Sequence, residues 1–438
     1  MKIAYIAAGA AGMYCGNCLR DHALALAMRG LGEEFTLVPV YTPLLTDLDQ
    51  GGEVRKGSVF FNGASAFLQQ HIPYLRKPRP IVDKLLSSSP VDGILSRLSP
   101  GTDASRLGPL TQSMLEGEDG NQAKEVERLV RWLKDELRPD VIHLSNLLLV
   151  GMARRLREEV GVPVVCSMQS EAHFIDSLKE PFKSNCIQEI KVRANELDGL
   201  VAVSSYYAAL AGEKYSLNSD LVEVVLSGVP LEGHSSARPQ GNLDGRLTIG
   251  YLARLAPEKG LDRLCDAFCR IAGRKDREEL TLRAAGYFPG SSAAWLKGVV
   301  EQAKKAVGKD RVEFTGTLDR DQKIEFLSRV DIFSVPARAP EAKGLYALEA
   351  MASGVPVVLP DQGVFPEYIS RSGGGVLYNP DEAGALEEAL ELMIEDEALR
   401  SRCGRLGREA AESYFNSERM AQETMGFYQR LAPAGSPS

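Results

Sequence analysis

The chain contains no run of eighteen or more apolar residues, which argues against a membrane-spanning helix. It has no excess of positive charge. Its 51 Lys and Arg against 59 Asp and Glu leave a net −8, spread along the chain, the wrong sign for gripping nucleic-acid phosphates. The opening, "MKIAYIAAGAAG", lacks the basic leader, apolar core and cleavage site of a signal peptide and goes straight into a strand-like run. Seven cysteines at irregular spacing form no disulfide framework and fit a reducing compartment. No internal repeat or low-complexity tract stands out. The expectation is a cytoplasmic globular protein with no nucleic-acid partner and no spanning segment. A length of 438 residues is too great for one compact core, so two domains are expected.

What the chain does have is strand–helix alternation. "KIAYIAA" ends in a glycine-bearing loop and is followed by the helical pattern "CLRDHALALAMRG". After "FTLVPVY" the regularity lapses over about 42–120, then resumes with "DVIHLS", the helix "LLLVGMARRLREEVG", "VPVVCSM" and "DGLVAVS". A polar Gly/Ser/Pro segment at 234–245 reads as a linker. The rhythm restarts with "RLTIGYLAR", "LTLRAAG", "RVEFTG", "DIFSVPA", "VPVVLP" and "GGVLYN". Short apolar strands with helical crossovers predict α/β architecture: two doubly wound parallel domains, at 1–233 and 246–415, facing across a cleft. The last helix, at 416–438, is expected to pack back on the first domain.

One helix stands apart. From Leu345 to Ala352 every residue is apolar except Glu349, so that carboxylate needs a partner: a cation, backbone amides or ligand hydroxyls. An internal salt bridge and a ligand are equally good answers at this point. Glu341 lies eight positions earlier. On a single helix the two would stand about 12 Å apart, too far for a retaining glycosidase pair at roughly 5 Å. That spacing suits hooks for the two ends of one elongated ligand. Between them Lys343, Gly344 and Leu345 open the helix, where free N–H groups favour an anion. In "GYLARLAPEKGLDRL", Arg254 ends a strand and Lys259 starts the next helix, a planar fork and a compact charge for phosphate oxygens. Hydroxyls at both ends and negative charge between them describe a nucleotide sugar.

Other motifs are weaker. Gly9, Gly12 and Gly16 do not fit G-x-G-x-x-G, yet glycines after the first strand let a substrate approach the backbone. Cys15 and Cys18 make a single C-x-x-C, half a zinc site, and read as packing. Asp47 to Asp49, "DLD", imitates a metal motif but lies in the irregular stretch and reads as solvated loop. "RKPR" at Arg76 to Arg79 reads as a basic turn, with peripheral membrane contact or an anionic acceptor as the other possibility. His143, which ends a strand facing the expected cleft, and His22 read as satisfied structure.

These residues resemble the GT-B fold glycosyltransferases, and within them the family-4 retaining enzymes. The likeness lies in "PEAKGLYALEAMASGVPVV", "ARLAPEKGLDRL", "DVIHLSN", "LVAVSSYYAAL" and "VVLSGVPLEG". It covers nearly the whole chain and is strongest in the second half. The resemblance implies that Glu341 contacts the donor sugar, that Glu349 holds the ribose hydroxyls, and that Arg254 and Lys259 clamp the diphosphate, with amides near Gly344 and Leu345 assisting. It places the nucleoside near Ala284 to Tyr287 and Glu313 to Gly316, hence Gly286 and Gly316. It implies hexosyl transfer with retention from a nucleoside-diphosphate sugar, with UDP the first expectation, to an unidentified sugar, lipid-linked or small-molecule acceptor, without a metal ion or other cofactor. The chain departs from the family pattern in two places. Gln169, Ser170 and Glu171 stand where many relatives have a histidine near the reacting carbon, which makes Gln169 and Glu171 substrate-contact candidates. Lys343 replaces an aromatic or glycine-rich residue. A phosphorylase, a nucleotide-sugar epimerase or a non-catalytic binder remain open on the residues alone.

Overall fold

The computed structural model describes residues 1–8, 16–41, 69–70, 72–76, 104–234, 246–275, 277–288 and 290–432. They fall into two compact units: Met1–Leu226 with the chain from Met420 onward, and Ser227–Arg419. The division comes ahead of the expected linker, most of which, 235–245, lies outside the described residues.

In the first unit six strands form one sheet: β1 (Lys2–Ala7), β2 (Glu34–Pro39), β3 (Val141–Leu144), β4 (Val164–Met168), β5 (Gly199–Ala202) and β6 (Val222–Val224). Their order is β2-β1-β3-β4-β5-β6, and neighbours run parallel. β3, β4 and β5 are buried at every residue, as a sheet covered on both faces requires. The helices are α1 (Gly16–Gly30), α2 (Ala104–Glu116), α3 (Ala123–Trp132), α4 (Ala153–Val160), α5 (Glu171–Asp176), α6 (Phe182–Ala194) and α7 (Ser205–Tyr215). Two details differ from the sequence reading. The stretch over 42–120 contains α2, with Pro109 inside it. "LLLVGM" forms a 3-10 segment, Leu147–Met152, before α4 begins at Ala153.

The second unit repeats the plan with β7 (Leu247–Leu252), β8 (Leu280–Ala285), β9 (Val312–Thr315), β10 (Ile332–Ser334), β11 (Val357–Pro360) and β12 (Gly375–Tyr378). Their order is β12-β11-β10-β7-β8-β9, again parallel. The helices are α8 (Leu261–Ala272), α9 (Ala293–Val307), α10 (Arg320–Ser328), α11 (Leu345–Ala352), α12 (Phe365–Ser372), α13 (Ala385–Glu395) and α14 (Glu397–Ser413). α8 buries Leu261, Leu264, Cys265, Phe268 and Ile271, the apolar stripe of a helix lying on a sheet. α10 starts with a capping box: Asp319 accepts from the Gln322 amide at 2.9 Å, and Gln322 Oε1 accepts from the Asp319 amide at 3.0 Å.

The last helix, α15 (Ser417–Leu431), supplies Met420, Ala421, Met425, Phe427 and Tyr428 to the core of the first unit, against Tyr5, Met28 and Val165.

Candidate active site

In a doubly wound sheet the chain leaves in opposite directions at the point where strand order reverses, and ligands bind beyond the strand C-termini there. In the second unit that point lies between β7 and β10. The loop after β7 carries Arg254 and Lys259, and the loop after β10 carries Glu341.

Both loops are stapled. The buried Tyr251 hydroxyl donates to the carbonyls of Arg254 and Lys259, at 3.3 and 3.4 Å. The Arg338 guanidinium donates to Asp262 at 2.9 and 2.6 Å and to the Pro257 carbonyl, while the Arg338 amide bonds the Glu258 carbonyl at 2.9 Å. Gln362 Nε2 donates to the Ala337 carbonyl at 2.9 Å, and the Val364 amide to the Glu341 carbonyl at 2.9 Å. Tyr368 Oη donates to the Lys343 carbonyl at 2.6 Å.

Lys259 Nζ, so held, donates to Glu341 Oε1 across 82 residues of sequence. Each side chain is about one-fifth exposed, at 18% and 19%. The ammonium also sits 5.7 Å from the Tyr346 ring centre, a favourable cation–π placement. Arg254 pairs with Glu258, and at 40% exposure each that pair contributes little stability and is open to exchange.

Glu341 is not on the same helix as Glu349. α11 begins at Leu345, after Gly344 at φ +44°, so the single-helix spacing of the sequence reading does not apply. Gly344 is sterically required, because a Cβ there would lie 2.5 Å from Phe365 Cε1. Glu349 has a protein partner, the cation alternative: Lys323 Nζ of α10, at 2.5 Å from Oε1. Glu349 and Glu341 thus share one arrangement. Each has Oε1 on a lysine and is 19% exposed, and each leaves Oε2 without a partner among the described residues.

The expected nucleoside segments also meet. The Gly286 amide donates to the Gly316 carbonyl at 3.1 Å, and the Leu255 amide to the Tyr287 carbonyl at 2.8 Å. A Cβ on Gly286, at φ +149°, would lie 1.8 Å from the Ala253 carbonyl oxygen, so only glycine lets these loops approach. The Lys343 side chain is buried rather than presented, at 7% exposure. Leu345 is the first residue of α11.

His234 braces the far end of α11. Its Nδ1 lies 2.8 Å from Ser353 Oγ, and burial, then Arg320, Arg408 and Lys323, pushes its pKa down from 6.5 to about 3. With the folded value below the unfolded one, its stabilising contribution is full above pH 6.5 and falls as pH drops toward 3. Wild type should lose about 2 kcal/mol relative to His234→Gln between pH 7 and 4.5, measured by denaturant unfolding at both pH values.

In the first unit the strand order reverses between β1 and β3. Gly16 is the exposed first residue of α1, whereas Gly12, Cys15 and Asp47 to Asp49 lie outside the described residues. Glu171 requires a correction. Its carboxylate accepts from the amides of Leu147, Gln169 and Ser170, at 3.1, 2.9 and 3.0 Å, and from Tyr207 Oη at 2.8 Å. It is buried and tied up in holding the loop together, not presented to a substrate. The Gln169 side chain is buried as well, its Nε2 donating to Asp21 Oδ1 at 2.9 Å and to the Ser145 carbonyl at 2.7 Å. His143 faces the core and not a substrate, between Tyr428 Oη on Nδ1 and Ser167 Oγ at 2.8 Å from Nε2. Burial, aided by Arg20, holds its pKa well below the ordinary range, so the ring is neutral. Cys18 is buried, as packing predicts.

The sequence reading missed Lys323, Tyr251, Arg338 and Asp21. Only the capping box just ahead of Lys323 was visible as a signal, and it marks a helix start rather than a partner.

Two family models match the chain in succession: Glycosyltransferase Family 4 over residues 108–232 and Glycosyl transferases group 1 over residues 235–410. The chain belongs to the family-4-like GT-B glycosyltransferases. A curated relative of this glycosyltransferase is the glycogen synthase of Mycobacterium tuberculosis, 27% identical over 66% of this chain and 69% of that one. The D-inositol 3-phosphate glycosyltransferase of Nocardia farcinica is 26% identical over 90% of this chain and 83% of its own length. Among solved structures, Anabaena Alr3699/HepE in complex with UDP shares the fold with a TM-score of 0.68, at 17% identity over 98% of this chain and 100% of that one. The enzyme is therefore a glycosyltransferase. No helix among the described residues is long and apolar enough to cross a membrane.

Proposed function

We propose that this glycosyltransferase moves a hexosyl group from a nucleoside-diphosphate sugar, with uridine as the nucleoside, to a sugar, lipid-linked or small-molecule acceptor, with retention at the anomeric carbon and without a divalent ion. The observation that carries the donor assignment is the meeting of Lys259 and Glu341 from two loops at the strand-order reversal, with Arg254 on the same loop as Lys259. Cations there answer a diphosphate, and the unpaired carboxylate oxygens of Glu341 and Glu349 answer hydroxyls. As the bond to the leaving phosphate breaks, negative charge grows on its oxygens. Fixed cations at that point stabilise the transition state more than the ground state, and the free amides opening α11 add to them. Glu341 orients the transferred sugar, Glu349 holds the ribose, and the buried Lys343 acts through its carbonyl, which fixes the loop to Tyr368. Uridine is favoured by the UDP held in the Anabaena protein.

A thermal-shift panel of UDP-, GDP- and ADP-sugars tests this. At a hundred times its dissociation constant, a UDP-sugar should raise the melting temperature of wild type by roughly 3 °C, and that of Glu349→Ala by much less. Absence of a shift with all three would overturn the reading.

A further inference from the structure

Lys323 has no role in the family resemblance, yet it is the residue that touches Glu349. It sits in the first turns of α10, whose start is fixed by the Asp319–Gln322 capping box, and its backbone amide bonds the Asp319 carbonyl at 2.9 Å. Arg320, one turn earlier, is anchored to the Pro230 carbonyl at 3.2 Å and to the Glu232 carbonyl at 2.5 Å. The Lys323 ammonium is therefore delivered by a rigid helix start, and at 13% exposure it is more enclosed than the carboxylate it meets. A carboxylate has two oxygens and can serve two donors at once. Here one is engaged, and the other is left open at the first turns of α11.

We propose that Lys323 is a positioning residue for nucleotide recognition: it fixes the Glu349 carboxylate through Oε1 so that Oε2 meets a ribose hydroxyl. The inference rests on the nucleotide-sugar reading above and adds to it a source of sugar specificity in the nucleotide. A loose glutamate would lose side-chain freedom on binding. A glutamate already held has lost it in the free protein, and its single open oxygen has a fixed direction. The ion pair need not break when the ribose arrives, because the two partners use different oxygens.

The test compares UDP with 2′,3′-dideoxy-UDP by titration calorimetry on the full chain, with GDP and its dideoxy form in parallel, for wild type, Lys323→Met, Lys323→Gln and Lys323→Arg. Wild type should favour the ribonucleotide by about 10-fold or more, as a hydrogen bond to a charged group predicts. Lys323→Met and Lys323→Gln should cut that preference to about 3-fold or less, while Lys323→Arg retains most of it. Unchanged preference in both neutral variants, with wild-type melting temperatures, overturns the role of Lys323. If either variant unfolds, the other decides. Failure of wild type to bind any of the nucleotides overturns the donor reading itself, and the inference with it.

Discussion

Lys259→Met should lower kcat by about 100- to 1,000-fold, the loss seen when one fixed donor to a developing anion is removed, while the KM for the nucleotide sugar moves far less. The reason is the double engagement of this ammonium. It is proposed to meet the diphosphate, and it bonds Glu341 Oε1. On the proposed donor reading, removing it takes charge from the leaving group and also frees the carboxylate proposed to orient the sugar. Glu341→Gln should by itself cause a loss of similar size, and the double variant should be little worse than either single change, because groups in one contact are not additive. Nucleotide release from the donor, followed under saturating and limiting substrate, separates kcat from KM. Equal, fully additive losses confined to KM would show that the two residues bind substrate without acting in the transition state.

The largest effect on stability should come from Asp21→Ala in the first unit. Arg20 is fully buried, and among the described residues all three of its guanidinium nitrogens lack a hydrogen-bond partner. Its counter-charge is Asp21 Oδ1, 3.6 Å from Nη1. The same Oδ1 accepts from Tyr5 Oη at 2.6 Å and from Gln169 Nε2 at 2.9 Å. Removing Asp21 leaves an uncompensated buried cation and an unpaired Tyr5 hydroxyl, with Gln169 Nε2 kept only by the Ser145 carbonyl, a change that costs about 3–5 kcal/mol. Arg20→Met with Asp21→Ala should recover much of that loss, since no charge is left stranded. Urea denaturation of wild type and the two variants measures it. Equal destabilisation of single and double variants would mean that the charge is not what Asp21 balances.

The strands were readable because each is a short apolar run, and the parallel sheets follow from such runs separated by helices. The demand of Glu349 for a partner was equally readable, since α11 is otherwise apolar. Which partner was not, because Lys323 lies 26 residues away on a helix brought there by the sheet. The same limit explains His143. The short apolar run around it shows a strand end, but its bonding partner Tyr428 comes from 285 residues further on. Glu171 is a substrate candidate by its place where many relatives have a histidine, whereas its four donors converge only after β3, β4 and α7 have assembled. α2 escaped notice because Gly108 and Pro109 interrupt its pattern, although the helix tolerates Pro109 in its interior.

A crystal structure of the full chain with the stabilising nucleoside diphosphate tests the account most directly. The diphosphate should lie within hydrogen-bonding distance of Arg254 and Lys259, about 3 Å, with the ribose on Glu349 Oε2 and Lys323 still on Oε1. A nucleotide bound elsewhere, or one at this edge touching none of these side chains, would contradict it.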